Sequence, residues 1–532
     1  MVRFFALVFV LKMGWFSLAA QPGVPSFSVK DYGASGEKSQ KATAFIQKTL
    51  DICAEAGGGI VYFPPGEYVS GSLRIFSNTT LWLESGATLY ASQDTSDYTT
   101  YRSLSEPVLL FADSAHHIAL RGKGTIHGQA RRVYEDLKAV DGFIRDITEN
   151  AREAGVEMKM YYKVKPHVRL VVFEHSTDIT IEDISLIESC SWTLDLKQCQ
   201  RVYVRGVYIQ SSLEAGVNAD GIDVDGCRDV VISDCIVTTG DDAIVLKANF
   251  TRGVQHNCEN VTITNCVVTS TSAGLKLGTE SYGDFRHITF NNCVVRNSNR
   301  GLSIVVRDGG TVENVLFSNI TIETNRKHFN WWGNGDPIWI VLRKRRPNSK
   351  LGFVRNVVFE NIVATGQGTS RIEGYAPDSL HPEGRRLENI QFRNVQLKME
   401  AENYLDKRAD WGFEAHDVNG LKVEGMEITW DTQKTEPGWK GAVHLYDCDE
   451  VRMKDFTGRQ GLSGSNFPVI FLENVPVAVL DNIEALPGAS TLVEIGGQNV
   501  RSIRLIQIDP LERASEKFRL GKEVNKKVVQ VR

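Results

Sequence analysis

A nine-residue pattern recurs ten times along this chain: DITIEDISL from Asp178, RVYVRGVYI from Arg201, DVVISDCIV from Asp229, NVTITNCVV from Asn260 and HITFNNCVV from His287, then NVLFSNITI from Asn314, NVVFENIVA from Asn356, NIQFRNVQL from Asn389, GLKVEGMEI from Gly420 and EVRMKDFTG from Glu450. Most starts lie 23–33 residues apart, a period that marks a solenoid. Each unit alternates apolar and polar residues and is rich in Val and Ile, as a half-buried strand requires. A helix between strands would need roughly 10–15 residues of 3.6-residue periodicity. The intervals hold further short strands instead, such as GIDVD and AIVLK. Strands that stack on their successors without helices predict an all-β parallel β-helix, against which an up-and-down sandwich is the competing arrangement.

Asp183, Asp234, Asn265, Asn292, Asn319, Asn361 and Asn394 precede one shared apolar slot, suiting a ladder of stacked polar side chains at one corner. The slot itself holds Cys235, Cys266, Cys293, Ile320, Ile362 and Val395, so its cysteines read as small core hydrophobes. An odd total of nine cysteines and the lack of a CxxC pair argue against a full disulfide framework or a thiolate metal site. Open solenoid ends expose strand edges, so caps are expected. Residues 41–56 put Phe45, Ile46, Thr49, Leu50 and Cys53 on one helical face before a Gly run, as a capping helix would.

The first residues combine Arg3, an apolar run and small residues ending at Ala19-Ala20, which reads as a secretory signal; a membrane anchor is the alternative. The expected organisation is a signal peptide at 1–20, a helix body at 21–508 with inserts at about 129–165 and 325–350, and a charged tail or cap at 509–532. The inserts would wall the groove of an otherwise uniform cylinder. With 60 Lys and Arg against 65 Asp and Glu, the net charge of −5 shows no basic surplus of the kind that nucleic-acid binding needs. Expected, then, is a secreted or periplasmic monomer with no cofactor, no metal and no membrane span after signal removal.

Carboxylates concentrate in NADGIDVDG (Asp220, Asp223, Asp225) and TTGDDAIVLK (Asp241, Asp242), about one coil apart. Neighbouring coils stack at about 4.8 Å, so Asp220 can meet the Asp241–Asp242 pair. Crowded carboxylates cannot all ionise cheaply; one pKa rises, and an acid–base pair for glycosidic hydrolysis results. Alternation objects that Asp241 and Asp242 should face opposite ways, unless Gly240 kinks the chain. It also points Asp223 and Asp225 outward, making Asp223 a rival. On the residues alone, a catalytic cluster and a solvated or calcium-holding one both stand. Lys247 reads as a structural partner of these acids. His256 and His287 have no Ser or Cys nucleophile to pair with, and the Gly-rich AEAGGGI lacks the context of a phosphate loop.

The segments Asn218–Asp223 (N-x-D-G-I-D), Gly240–Ile244 (G-D-D-A-I) and SAGLKLGTES from Ser272 resemble glycoside hydrolase family 28, the polygalacturonase-like pectin hydrolases. KDYGA from Lys30, AGGGIVYFPPGEY from Ala56 and SGSLRIFSNTTLWLESGATL from Ser70 resemble the opening of that β-helix superfamily, so the likeness covers roughly residues 27–400. The resemblance implies a right-handed helix and metal-free, inverting hydrolysis of galacturonic-acid linkages in a pectic polysaccharide or oligosaccharide. It implies Asp241 as general acid, with Asp220 and Asp242 positioning the attacking water. Two family motifs are replaced: Gly-His-Gly by Ser272-Ala273-Gly274, and Arg-Ile-Lys by Ser303-Ile304-Val305. A changed substrate grip is therefore expected. Its candidates are Asn218, Lys276, Arg300 and Arg307, with Trp331 and Trp332 to stack on a sugar face. The cluster Arg343-Lys344-Arg345-Arg346 reads mainly as a solvated charge run. A polysaccharide lyase, or a glycan-binding solenoid without catalysis, are the rival functions.

Overall fold

The computed structural model describes residues 24–99, 101, 106–136, 161–251, 253–327, 333–509 and 514–532. The expected signal peptide, the centre of the first insert, and Trp331 and Trp332 lie outside these residues. The chain winds into a right-handed parallel β-helix whose walls are a 26-stranded and a 15-stranded sheet. Each early coil gives two strands to the larger sheet and one to the smaller. Thr177–Glu182 and Ser185–Ile187, for example, flank a corner at Asp183, and Leu194–Lys197 follows in the smaller sheet.

Register is carried by the second residue of each unit. Ile179 pairs with Val202, and the column continues through Val230, Val261, Ile288, Val315, Val357 and Ile390. A slip of one residue would turn every such side chain to solvent. The fourth position of four coils forms a column of parallel rings, Phe290, Phe317, Phe359 and Phe392, with centroids 4.7, 5.0 and 4.9 Å apart. All nine cysteines are buried free thiols, and Cys235, Cys266 and Cys293 occupy the apolar column as expected.

The polar ladder has a backbone cause. In every unit the first and sixth residues lie in the left-handed region, with φ between +50° and +75°. Only Gly enters that region freely, and Asn and Asp enter it more readily than other residues. Asn and Asp therefore dominate both columns, with Gly206 and Gly425 as substitutes in the second. The side chains then bond coil to coil: Asn361 Nδ2 donates to Asn319 Oδ1 at 2.9 Å, and Asn394 Nδ2 donates to Asn361 Oδ1 at 2.8 Å.

At the N-terminal end the helix Thr43–Glu55 buries Ile46, Thr49, Leu50 and Cys53 over the first coil. At the other end, Ala514–Leu520 and Val529–Val531 pair in parallel with Ala489–Gly496 and Ser502–Asp509. The segment expected to trail as a tail thus adds strands to both sheets, because its apolar residues alternate between charges. One hydrophobic core runs from Val29 to Val524. Among the described residues no helix is long and apolar enough to cross a membrane.

Replacing Asn361 by Ala removes two ladder bonds and places a Cβ without local compensation at φ +54°. The expected loss is about 1–2 kcal/mol in urea unfolding. Asn361→Gly should lose less than half of that; equal losses would show that the hydrogen bonds, not the backbone angle, select Asn.

Candidate active site

Asp220 follows the loop at Ser212–Ala219, while Asp241 and Asp242 fill the turn between the strands Ile236–Thr239 and Ile244–Ala248. Because they occupy a turn and not a strand, strict alternation does not apply, and both carboxyls reach one cavity. Gly240 is needed there for its size: a Cβ would stand 2.2 Å from the Ser212 carbonyl oxygen. One oxygen from each of Asp220, Asp241 and Asp242 lies within 4.8 Å of the others, and all three residues are buried.

Their partners differ. The Asp241 Oδ2 accepts the Asn218 N–H at 3.0 Å, and its Oδ1 accepts the Asp242 N–H at 2.9 Å, but among the described residues no cation within salt-bridge distance balances it. Burial, then the charges of Asp220 and Asp242, push Asp241 up to about 8. Asp242 has both oxygens engaged. Oδ1 accepts from the Ser272 hydroxyl at 2.8 Å and the Ala273 N–H at 3.2 Å, and Oδ2 meets the Lys276 ammonium at 2.6 Å. Asp220 Oδ2 accepts from Lys247 Nζ at 2.9 Å; burial still raises Asp220, with Lys247 opposing and Asp242 adding to the rise. The same ammonium lies 2.9 Å from Asp223 Oδ1 and 3.9 Å from Glu280, and 3.5 Å over the centre of the Trp192 ring. Burial works against its charge, yet Asp220 and Asp223 hold its pKa well above the lysine value. Lys247 is thus the structural partner that the sequence suggested. The three carboxyls could in principle hold a cation, but two lysine ammonium groups already neutralise Asp220 and Asp242.

Asp223 and Asp225 do point away from the apolar lumen, as alternation requires, but neither meets solvent: they are 0% and 2% exposed. Asp223 lies behind Lys247 and does not line the cavity, and Asp225 is tied to Asn249. Asp223 is therefore no rival at the cavity.

The cavity of about 510 Å³ is walled by Trp192, Glu280, Arg300, Arg307, Trp339 and Arg345. Of the predicted grip residues, Asn218 contributes its backbone, and Lys276 is spent on Asp242. Arg300 stacks 3.4 Å over Trp339 and pairs with Asp336 at 3.2 Å. Arg345, from the run expected to be solvated, reaches the cavity and binds Asp308 at 2.7 Å and Glu280 at 3.3 Å. Arg307 differs from all of these: no carboxylate within salt-bridge distance of its guanidinium is found among the described residues, and its Nε is buried without a hydrogen-bond partner. Among the described residues that line the cavity five cations face four carboxyl groups, and Asp223, Asp336 and Asp308 behind them pair with three of those cations. Trp192 lies outside every motif, and Glu280, although inside SAGLKLGTES, carries no signal there that sets it apart; only the coil register brings them here. His287 occupies a left-handed corner at φ +56°, away from this chemistry.

Residues 79–329 match the sequence pattern of glycosyl hydrolases family 28. They belong to that family. Residues 26–108 match the pattern described as rhamnogalacturonase A/epimerase, pectate lyase-like. The chain is 25% identical over 283 residues to a probable polygalacturonase of Vitis vinifera, covering 49% of this chain and 53% of that protein. It is 25% identical to a probable rhamnogalacturonase A of Aspergillus oryzae over 44% of this chain and 42% of that one. The chain thus spans about half the length of these curated relatives. In fold it is similar to an exopolygalacturonase of Thermotoga maritima, with a TM-score of 0.59 at 22% identity, covering 77% of this chain and 93% of that one.

The raised Asp241 makes a thermodynamic prediction. Its folded pKa, about 8, exceeds the ordinary carboxyl value of 3.8, so between these limits the folded state binds more protons than the unfolded state. Stability contributed by the neutral carboxyl is complete below the lower value and is lost as pH rises through the upper one. Asp241→Asn should therefore gain melting temperature relative to the parent chain at pH 9 and lose that advantage at pH 4.

Proposed function

We propose that this chain is an exported glycoside hydrolase that cleaves galacturonic-acid-containing linkages of pectic polysaccharide by single displacement. The observation that carries the reading is the division of labour among three buried carboxyls: Asp241 with no salt-bridged cation among the described residues and raised to about 8, Asp220 and Asp242 each on a lysine. A neutral Asp241 can give its proton to the glycosidic oxygen as the C1–O bond breaks. Water then forms the new bond to C1 and yields its proton to Asp242 or Asp220. Asp242 is better suited to hold water than to attack, since three donors already occupy its oxygens. The acid and base lie closer than the roughly 6.5–9.5 Å usual for inverting pairs, so the configuration of the product tests the single-displacement step directly.

The substrate class is supported by Arg307, a lining cation with no carboxylate within salt-bridge distance among the described residues, and by the names of the relatives, a polygalacturonase and a rhamnogalacturonase. Arg307 takes the role of the absent Arg-Ile-Lys cations as the guanidinium open to a uronate carboxylate. Export rests on the leader-like first 20 residues, and the whole helix body acts as one catalytic unit.

Asp242→Asn should retain the fold and lose about 10²–10⁴-fold in kcat on homogalacturonan or rhamnogalacturonan, measured by reducing ends; a tenth of the activity remaining would sink the assignment. Proton NMR during the first turnovers should show the inverted anomer, whereas retention would exclude water attack. Arg307→Ala should raise KM at least tenfold on acidic substrate with a smaller change in kcat. A product absorbing in the ultraviolet would instead indicate elimination by a lyase.

A further inference from the structure

Beyond the cavity, the outward row of the smaller sheet continues through Trp339, Arg371, Glu414, His444 and Phe471, each the register partner of the one before. His416 stands two residues after Glu414 on the same face. Three ligating atoms converge here: Glu414 Oε1 lies 3.5 Å from His444 Nδ1 and 3.9 Å from His416 Nε2. Both nitrogens are shielded from solvent and lack a hydrogen-bond partner. The opposite nitrogen of His444, Nε2, lies 3.0 Å from Glu473 Oε2. A carboxylate can only accept, so Nε2 donates to Glu473, and in the neutral ring the Nδ1 lone pair faces the Glu414 oxygen. That pair of acceptors is reconciled by a cation between them, either a second ring proton or a bound metal ion. The other Glu414 oxygen is taken by Arg371, with Nε at 2.7 Å, which fixes the carboxylate and frees Oε1 for the centre. Trp411 and Phe471 both pack on the His444 ring, at centroid distances of 4.9 and 5.2 Å, and fix its plane.

We infer that Glu414, His416 and His444 bind a divalent transition metal of the zinc class. The donor set is two imidazoles and a carboxylate, a combination suited to that class. Metal–ligand arms of about 2.0–2.1 Å place tetrahedral neighbours ~3.3 Å apart, so small side-chain rotations close the observed spacing. Glu473 supplies the outer carboxylate that orients a ligating histidine. The His416 side chain is 28% exposed and lies on the face that also carries the cavity. This site is independent of the glycosidase reading, because none of its residues lines that cavity.

The test is titration of the full, chelator-stripped chain with Zn²⁺ against a chromophoric competitor. One equivalent should bind tightly. Glu473→Gln should weaken it about 10–100-fold, and His416→Ala and His444→Ala should weaken it further, while Asp242→Asn leaves it unchanged. Equal affinity in the histidine variants, or no stoichiometric binding, overturns the proposal. A second measurement needs no variant: Zn²⁺ should protect His416, the more exposed of the two rings, from acylation by diethyl pyrocarbonate in the native chain, mapped by mass spectrometry. Equal modification with and without zinc would equally refute the site.

Discussion

Parallel pairing of each coil with the next is the constraint on which everything else depends. It holds successive strands at about 4.8 Å and converts residues far apart in sequence into columns. Inward columns become a continuous core, including the stacked phenylalanines. Outward columns become chemistry: Asp195, Asp223, Val245, Lys276, Ser303 and Trp339 are successive members of one row. The coil can close only if the chain bends at fixed points, and the left-handed residues at the first and sixth positions of each unit bend it there.

The cavity depends on the same stacking for its electrostatics. Asp220, Asp241 and Asp242 would repel one another if all were charged, and stacking gives them no freedom to separate. Lysines from the next coils resolve the conflict for two of them, Lys247 for Asp220 and Lys276 for Asp242. The third keeps its proton. Replacement of the family's histidine motif by Ser272-Ala273-Gly274 fits this balance, since the Ser272 hydroxyl and Ala273 N–H both serve Asp242.

Much of this was legible in the sequence, because the repeat has the same period as the coil. The helix, the corner ladder, the buried cysteines, the capping helix and the meeting of Asp220 with Asp241 and Asp242 all follow from it. What escaped was what one coil lays upon another. Alternation points Asp223 outward but is silent on Lys247 and Trp192, which cover it. Lys276 and Arg307 look alike as basic residues in a sequence, yet one is bound to Asp242 and the other has no carboxylate within salt-bridge distance among the described residues. The first-position ladder was obscured because Arg201, His287 and Glu450 share its left-handed corner with Asn and Asp. Glu414 and His444, a full coil apart, become neighbours only once register is known.

The central claim is that Asp241 holds a proton where an ordinary aspartate would have lost it. Carbon-13 NMR titration of carboxyl-labelled aspartates, comparing the native chain with Asp241→Asn, measures this directly. The account predicts one resonance titrating near pH 8 in the native chain and absent from the variant. If every aspartate resonance of the native chain completed its titration below about pH 5, in the ordinary carboxyl range, the proposed acid would be ionised at neutral pH and the account would be wrong.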